Sequence, residues 1–258
     1  MSVSTGSSLE EQAGSITISV GSSTSGPGGN LQLQSGSNSD EDELGGSTLI
    51  QAGNGVGGGG GILLNGGSDL SSDTDNAKSG GTVSIKGGIS SVGIGGMVSI
   101  VGGSSELGVG GQLHLKSGFS NSLSSGDTTL ATADGSIDGK SASGILYIST
   151  GDSYAESSAS GSVYIESGKS ALGPGGSIFI RANDGAISEG GSVEVVARNT
   201  GGHASKGGSM TIAAGEGSND DEGDGGNGGT LTFSGGFANG RAKIDVGGDA
   251  ILRGGDCE

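Results

Sequence analysis

Acidic side chains near the C-terminal end of the chain have the spacing of an oxygen-rich cation loop. Asp220, Glu222 and Asp224 stand at alternate positions, and Gly225 follows where an EF-hand calcium loop turns sharply. Carboxylate oxygens bind calcium in such loops, so these three residues are candidate ligands. The position that requires a bidentate glutamate is Leu231, however, and strands rather than helices are expected to flank the segment. The spacing therefore predicts only a weak, solvent-exposed Ca²⁺ site.

The other residues that could carry chemistry do not form a catalytic set. His114 is expected on the outward face of a strand and His203 in a turn, and neither lies in a nucleophile motif. Residues 135–141 are similar to a phosphate-binding loop, but Asp134 occupies the place of its first glycine and no helix follows. Cys257 is the single cysteine, so no internal disulfide can form. The sequence therefore predicts a protein that is not an enzyme and binds no nucleotide.

Three aromatic side chains occupy the middle of consecutive apolar–x–apolar segments. Tyr147, Tyr164 and Phe179 are each flanked by aliphatic residues, so strand alternation would place them outward. Packing between neighbouring strands of a sheet is the interpretation we favour for them. The alternative is an exposed contact surface for a glycan or a protein partner.

A repeat positions all of these residues. Two glycines and a small residue precede two apolar residues that are separated by one position, which we call an apolar pair; a small residue, a glycine and a Ser/Gly-rich turn follow. In the central stretch the pairs Val83/Ile85, Val98/Ile100 and Leu113/Leu115 follow each other at intervals of 15 residues. The first residues of the fifteen pairs are Ile16, Leu31, Thr48, Ile62, Val83, Val98, Leu113, Thr128, Leu146, Val163, Ile178, Val193, Met210, Leu231 and Ile244. Such a period is typical of repeat architectures.

The period of two within each unit indicates strands. Helices are disfavoured because a glycine in a helix interior costs about 1 kcal/mol and glycines occur throughout the chain. Disorder is the alternative, since 62 glycines with many serines resemble a flexible linker. We favour order, because a linker has no reason to place aliphatic pairs in register with glycines.

These observations predict an all-β fold, a single parallel β-solenoid of 15-residue strand–turn units. Two strands per coil of 30 residues is the preferred arrangement. One unit per coil is the alternative, and its core would also use Val92, Leu107, Leu172 and Ile187. Residues 1–241 form the repeats, and residues 242–258 form an irregular closing segment. Because Met1 and Val3 fill the apolar positions of a half unit, the chain either belongs to a longer repeat protein or has an end that stacks.

Composition and charge exclude several classes of function. Only 30% of the 258 residues are hydrophobic, and the net charge is −17. Such a charge disfavours nucleic acids and anionic membranes, and it is compatible with divalent cations or a mineral surface. The acid is concentrated between the expected strands, at residues 40–43, 69–75 and 220–224. No apolar run reaches the length of a membrane span, and no secretory signal pattern begins the chain.

The unit at residues 161–176, GSVYIESGKSALGPGG, resembles the Gly/Ser-rich repeat of long surface and wall-associated proteins of microalgae and of some bacterial adhesin stalks. The resemblance implies a β-solenoid with a structural role outside the cell or at its surface. The resulting hypothesis is a non-enzymatic, rigid, anionic spacer or scaffold that associates end to end. The alternatives are a module that binds ice, mineral or glycan surfaces and a calcium-stabilised adhesin segment.

Overall fold

The computed structural model of the chain divides into two units, Met1–Thr129 and Leu130–Glu258. The structure describes residues 1–71, 78–136, 141–154, 158–185, 189–201, 203, 205–223, 225–240, 242 and 244–255. In the described part of each unit the backbone forms no helix and no β-strand, and its regular features are turns and bends. The prediction of an all-β parallel β-solenoid is therefore wrong, as is the β-solenoid architecture that the resemblance implied.

Neither unit has a hydrophobic core among the residues that the structure describes, since no hydrophobic side chain is buried there. The accessible surface area is 25938 Å² for a chain of 24.4 kDa. A compact monomer of that mass exposes roughly 10,000 Å². The alternative solenoid with one unit per coil is wrong as well, because Val92, Leu107 and Leu172 are fully exposed. Ile187, its fourth core residue, lies outside the described residues.

The alternation of side chains within a unit is nevertheless visible. Val163 and Ile165 are 53% and 70% exposed, whereas Tyr164 between them is 82% exposed. Residues 146–148 show the same order, with Tyr147 more exposed than Leu146 and Ile148. The two residues of an apolar pair therefore share one side of the backbone, as expected of an extended segment. That side stays at least half exposed at these four residues.

The energetics explain why alternation alone does not produce a sheet. Fully burying the two aliphatic side chains of one unit would contribute about 3–6 kcal/mol. Ordering the backbone of a single residue costs about 1–2 kcal/mol, and glycine loses more freedom than any other residue. Ordering the fifteen residues of one repeat therefore costs more free energy than burial of its apolar pair contributes, unless neighbouring repeats also form hydrogen bonds with one another. The described segments form no such ladder.

The regular feature of the backbone is a series of closed loops. We define a closed loop as a segment of at least eight residues whose last residue donates its N–H to the backbone carbonyl oxygen of its first residue. In the unit Met1–Thr129, such loops span residues 36–46, 53–60, 67–81, 88–96, 103–111 and 118–126. In the unit Leu130–Glu258, they span residues 168–176, 183–191, 198–208, 215–229, 219–226 and 236–248. Most apolar pairs lie between closed loops, whereas the pair that begins at Ile244 lies inside the loop 236–248.

The boundary predicted between residues 241 and 242 is not tested, since residue 241 lies outside the described residues. Beyond it, Ala242 and Asp245 form a tight turn. The Asp245 N–H donates to the Ala242 carbonyl oxygen at 3.1 Å, and the Ala242 N–H donates to Asp245 Oδ2 at 2.8 Å. The division into repeats at 1–241 and a closing segment at 242–258 therefore stays a prediction.

Candidate functional site

Three of the closed loops share a serine that fixes their first turn. The Oγ atoms of Ser90 and Ser105 accept the backbone N–H groups of Gly93 and Gly108, both at 2.8 Å. In the unit Leu130–Glu258, Ser170 Oγ accepts the N–H of Gly173 at 2.9 Å. Each serine is the third residue of its loop, and its hydroxyl oxygen takes the place of a backbone acceptor in the turn. One local device is therefore used at three equivalent positions.

The bases of most closed loops bring two glycines together. Gly96 donates to the Gly88 carbonyl oxygen at 2.8 Å, and Gly111 donates to that of Gly103 at the same distance. A β-carbon added to Gly96 would lie 2.7 Å from Gly88 N, closer than real β-carbons approach backbone atoms. The second glycine of the Gly–Gly step is therefore needed for close approach of the backbone.

A hydroxyl group reinforces the base of the loop 168–176, and Thr150 and Gly161 form a bond of the same kind. Ser167 Oγ donates to the Gly176 carbonyl oxygen at 2.9 Å, and Thr150 Oγ1 donates to that of Gly161 at 3.2 Å. Both hydroxyl residues stand directly after the segment that carries the apolar pair. The small residue that the sequence repeat places there therefore takes part in closing the loop.

An aspartate supports the longer loop at residues 67–81. Asp69 Oδ1 accepts the N–H of Ser71 at 2.9 Å, and Asp69 Oδ2 accepts the N–H of Lys78 at 3.2 Å. The loop closes through the Gly81 N–H and the Gly67 carbonyl oxygen at 2.7 Å. The Asp69 carboxylate thus holds together two parts of the loop that are nine residues apart.

The candidate calcium residues lie in a turn that is capped by its own side chains. Asp220 and Glu222 are exposed, and Asp224 lies outside the described residues. Next to them in the chain, Asp221 Oδ1 accepts the N–H of Gly223 at 2.8 Å, and Asn219 Oδ1 accepts the N–H of Asp221 at 3.1 Å. No group of three His, Cys, Asp or Glu residues that could hold a metal ion occurs in the part of the chain that the structure describes. The Ca²⁺ site stays a prediction, because one of its three ligands is not described.

The three aromatic residues are exposed. Tyr147 and Tyr164 point into solvent, and the guanidinium carbon of Arg181 lies 4.8 Å from the centre of the Phe179 ring. This arrangement is a cation–π contact at an exposed site, a kind worth about 0.5–1 kcal/mol. Packing between strands of a sheet no longer explains these side chains, since the described residues form no sheet. A role as a contact surface is not tested and stays a prediction.

The residues considered for catalysis are dispersed. His114 is exposed, with Nε2 hydrogen-bonded to Gln112 Oε1 at 2.9 Å, and His203 is exposed in a turn. Of the segment similar to a phosphate loop, residues 137–140 lie outside the described residues, as does Cys257. No two of these groups lie together among the residues that the structure describes.

Comparisons with family models, with curated proteins and with solved structures find no match. The resemblance to β-solenoid surface proteins therefore rests on the repeat alone, and the described backbone contradicts the architecture that it implied. Within the described residues, no helix has the length and apolar character needed to cross a membrane. The sequence did not reveal the serine turns or the role of Asp69. The recurrence of serine at the third loop position was the signal that could have revealed the turns.

Proposed function

We propose that this chain is a non-enzymatic structural repeat protein, an anionic spacer or surface component located outside the cell or at its surface. The observation that supports the proposal is the recurrence of one closed loop along both units. The same base of two glycines and the same serine turn occur in residues 88–96, 103–111 and 168–176. Repetition of one closed loop suits a spacer, because the function of a spacer depends on the length of the chain and not on a single binding site.

The charge supports the same role. The net charge is −17, and the acidic runs at 40–43 and 220–224 belong to closed loops. Like charges distributed along a chain repel one another, which keeps the chain soluble and disfavours collapse. An anionic spacer would therefore stay extended between the structures that it separates.

Two parts of the earlier hypothesis are not carried into the proposal. Stiffness depended on stacked coils, and association end to end depended on the bare edge of a strand. Neither feature occurs in the described residues. Specific binding of ice, mineral or glycan and stabilisation by calcium are competing functions that no contact among the described residues favours.

Deletion of whole units tests the proposal. Removing residues 83–127 takes out three 15-residue units and joins Thr82 to Thr128, so the repeat stays in register. Small-angle X-ray scattering of the dilute chain at low salt should show a radius of gyration smaller by about a tenth, the value that chain-length scaling gives. The amide resonances of residues 168–176 should not move.

A deletion out of register is the control. Removing residues 83–120, which is not a whole number of units, joins Thr82 to Asn121 and removes Gly118, so the loop that ends at Gly126 should lose its closing hydrogen bond. Shifts throughout the amide spectrum after the in-register deletion would show that the chain is one cooperative structure. That outcome would overturn the spacer proposal.

A further inference from the structure

The apolar pairs of the central repeats are about half exposed or more. Val98 and Ile100 are 47% and 59% exposed, and Leu113 and Leu115 show a similar exposure. We call the sides of residues 83–85, 98–100 and 113–115 that carry these pairs the pair face. Among the described residues the side chains of this face bury nothing beneath them. The pair face is thus available to a partner.

The backbone of the same segments is also available. Backbone hydrogen bonds in the described chain are formed at the bases of closed loops and in tight turns. Residues 98–100 and 113–115 lie between closed loops and take part in none of them. Unpaired N–H and C=O groups along an extended segment can pair with an extended segment of another chain. A partner that offers both an apolar pair and an extended backbone would satisfy both needs.

The spacing of the pairs indicates which partner fits. Val83, Val98 and Leu113 follow each other at intervals of 15 residues. The two closed loops between them, 88–96 and 103–111, have equal lengths. A second copy of this chain carries the same pairs at the same intervals, so contact at one unit aligns the next. A partner without that period would match one unit and miss the following one.

The exposed area is sufficient for such a contact. A stable protein–protein interface buries about 1,600 Å² in total from both partners. This chain exposes 25938 Å², whereas a compact monomer of its mass exposes roughly 10,000 Å². The difference is many times the area that one interface buries. The exposed surface of the chain therefore does not limit the size of a contact between two copies.

We propose that two copies associate side by side through the pair face in a register set by the repeat, and that salt promotes the association. Each copy carries a net charge of −17, so aligned copies bring like-charged loops together. Repulsion between exposed charges is screened over about 10 Å at 0.1 M salt. The inference rests on the proposed structural role. It adds a second copy of the chain as the partner, the pair face as the surface, and added salt as the condition.

Sedimentation velocity of the full chain under reducing conditions tests the proposal, with the reductant preventing disulfides through Cys257. The chain should be monomeric at low salt and should form dimers as salt and protein concentration rise. A face variant combines Val98→Ser, Ile100→Ser, Leu113→Ser and Leu115→Ser. Its dimer dissociation constant should rise at least about tenfold, which corresponds to about 1.4 kcal/mol.

The matched control removes a similar amount of apolar surface from the intervening loops. It combines Val92→Ser, Ile94→Ser, Leu107→Ser and Val109→Ser, all of them at nearly fully exposed positions. This variant should dimerise as the original chain does. A chain that stays monomeric at every salt and protein concentration, or an equal loss in both variants, would overturn the proposal. The scattering test above is made on the low-salt monomer, so a failure of association leaves the spacer proposal independently testable.

Discussion

Single glycines decide whether a loop closes. Replacement of Gly96 by alanine places a β-carbon 2.7 Å from Gly88 N, so the two backbones must separate and the hydrogen bond between them is lost. A net loss of about 1 kcal/mol is expected. The temperature dependence of the residue-96 amide shift measures the change, and the amide should behave as solvent-exposed in Gly96→Ala.

Gly88→Ala is the control, since a β-carbon there would meet no atom within 4 Å. The Gly96 amide should keep its protection in that variant. Equal behaviour of the two alanine variants would contradict the role assigned to close approach at the loop base.

The serine at the third loop position offers a second test. Ser105→Ala removes the acceptor of the Gly108 N–H, a hydrogen bond of 2.8 Å. The Gly108 amide should then exchange several times faster with solvent, as expected for a loss of about 1 kcal/mol. Ser104→Ala changes the neighbouring serine and should leave that exchange rate unchanged. Hydrogen exchange by NMR is the measurement, and a faster Gly108 in both variants would rule out a specific serine turn.

Loop length accounts for the irregular spacing of the units. The loops at 88–96 and 67–81 both close, although the second is six residues longer. Closure entropy grows only with the logarithm of length, so this extension costs about 0.5 kcal/mol. The two hydrogen bonds of Asp69 offset a cost of that size. Insertions between apolar pairs are therefore tolerated where the loop gains a side chain that bridges it.

Asp69→Ala should open this longer loop. The Lys78 N–H loses its acceptor, so the carboxylate no longer joins the two parts of the loop. The Gly81 amide should then lose protection, because only the closing hydrogen bond offsets the entropy cost of the longer loop. Amide exchange of Gly81 measures the effect. The Gly96 amide in the shorter loop should not change, and a Gly81 amide that stays protected would contradict the supporting role of Asp69.

Calorimetry examines the molecule as a whole. A folded domain of 258 residues would absorb about 180 kcal/mol on thermal unfolding. This chain has no buried hydrophobic side chain among its described residues, so little apolar surface remains to be exposed by heating. The dilute chain at low salt should give a nearly flat heat-capacity trace. A sharp transition under those conditions would contradict the structure.

The same scan with calcium separates the competing functions. A transition that appears only with Ca²⁺ would favour the calcium-stabilised adhesin segment and would assign a role to Asp220, Glu222 and Asp224. An unchanged trace agrees with the spacer. Alanine at Asp220 and Glu222 should abolish any calcium-dependent transition, whereas alanine at Glu41 and Asp42 in another acidic loop should not.

Properties that depend on neighbouring residues along the chain could be predicted from the amino-acid order. The period of the apolar pairs, the shared side of Val163 and Ile165, and the turn-forming glycines and serines all arise within one unit. Only the tertiary structure decided whether one repeat covers another. That outcome depends on the free energy gained by burying two aliphatic side chains and the free energy lost by ordering fifteen residues. In the described residues the balance favours closed loops with uncovered pairs, so the repeat that indicated a stacked sheet produces none.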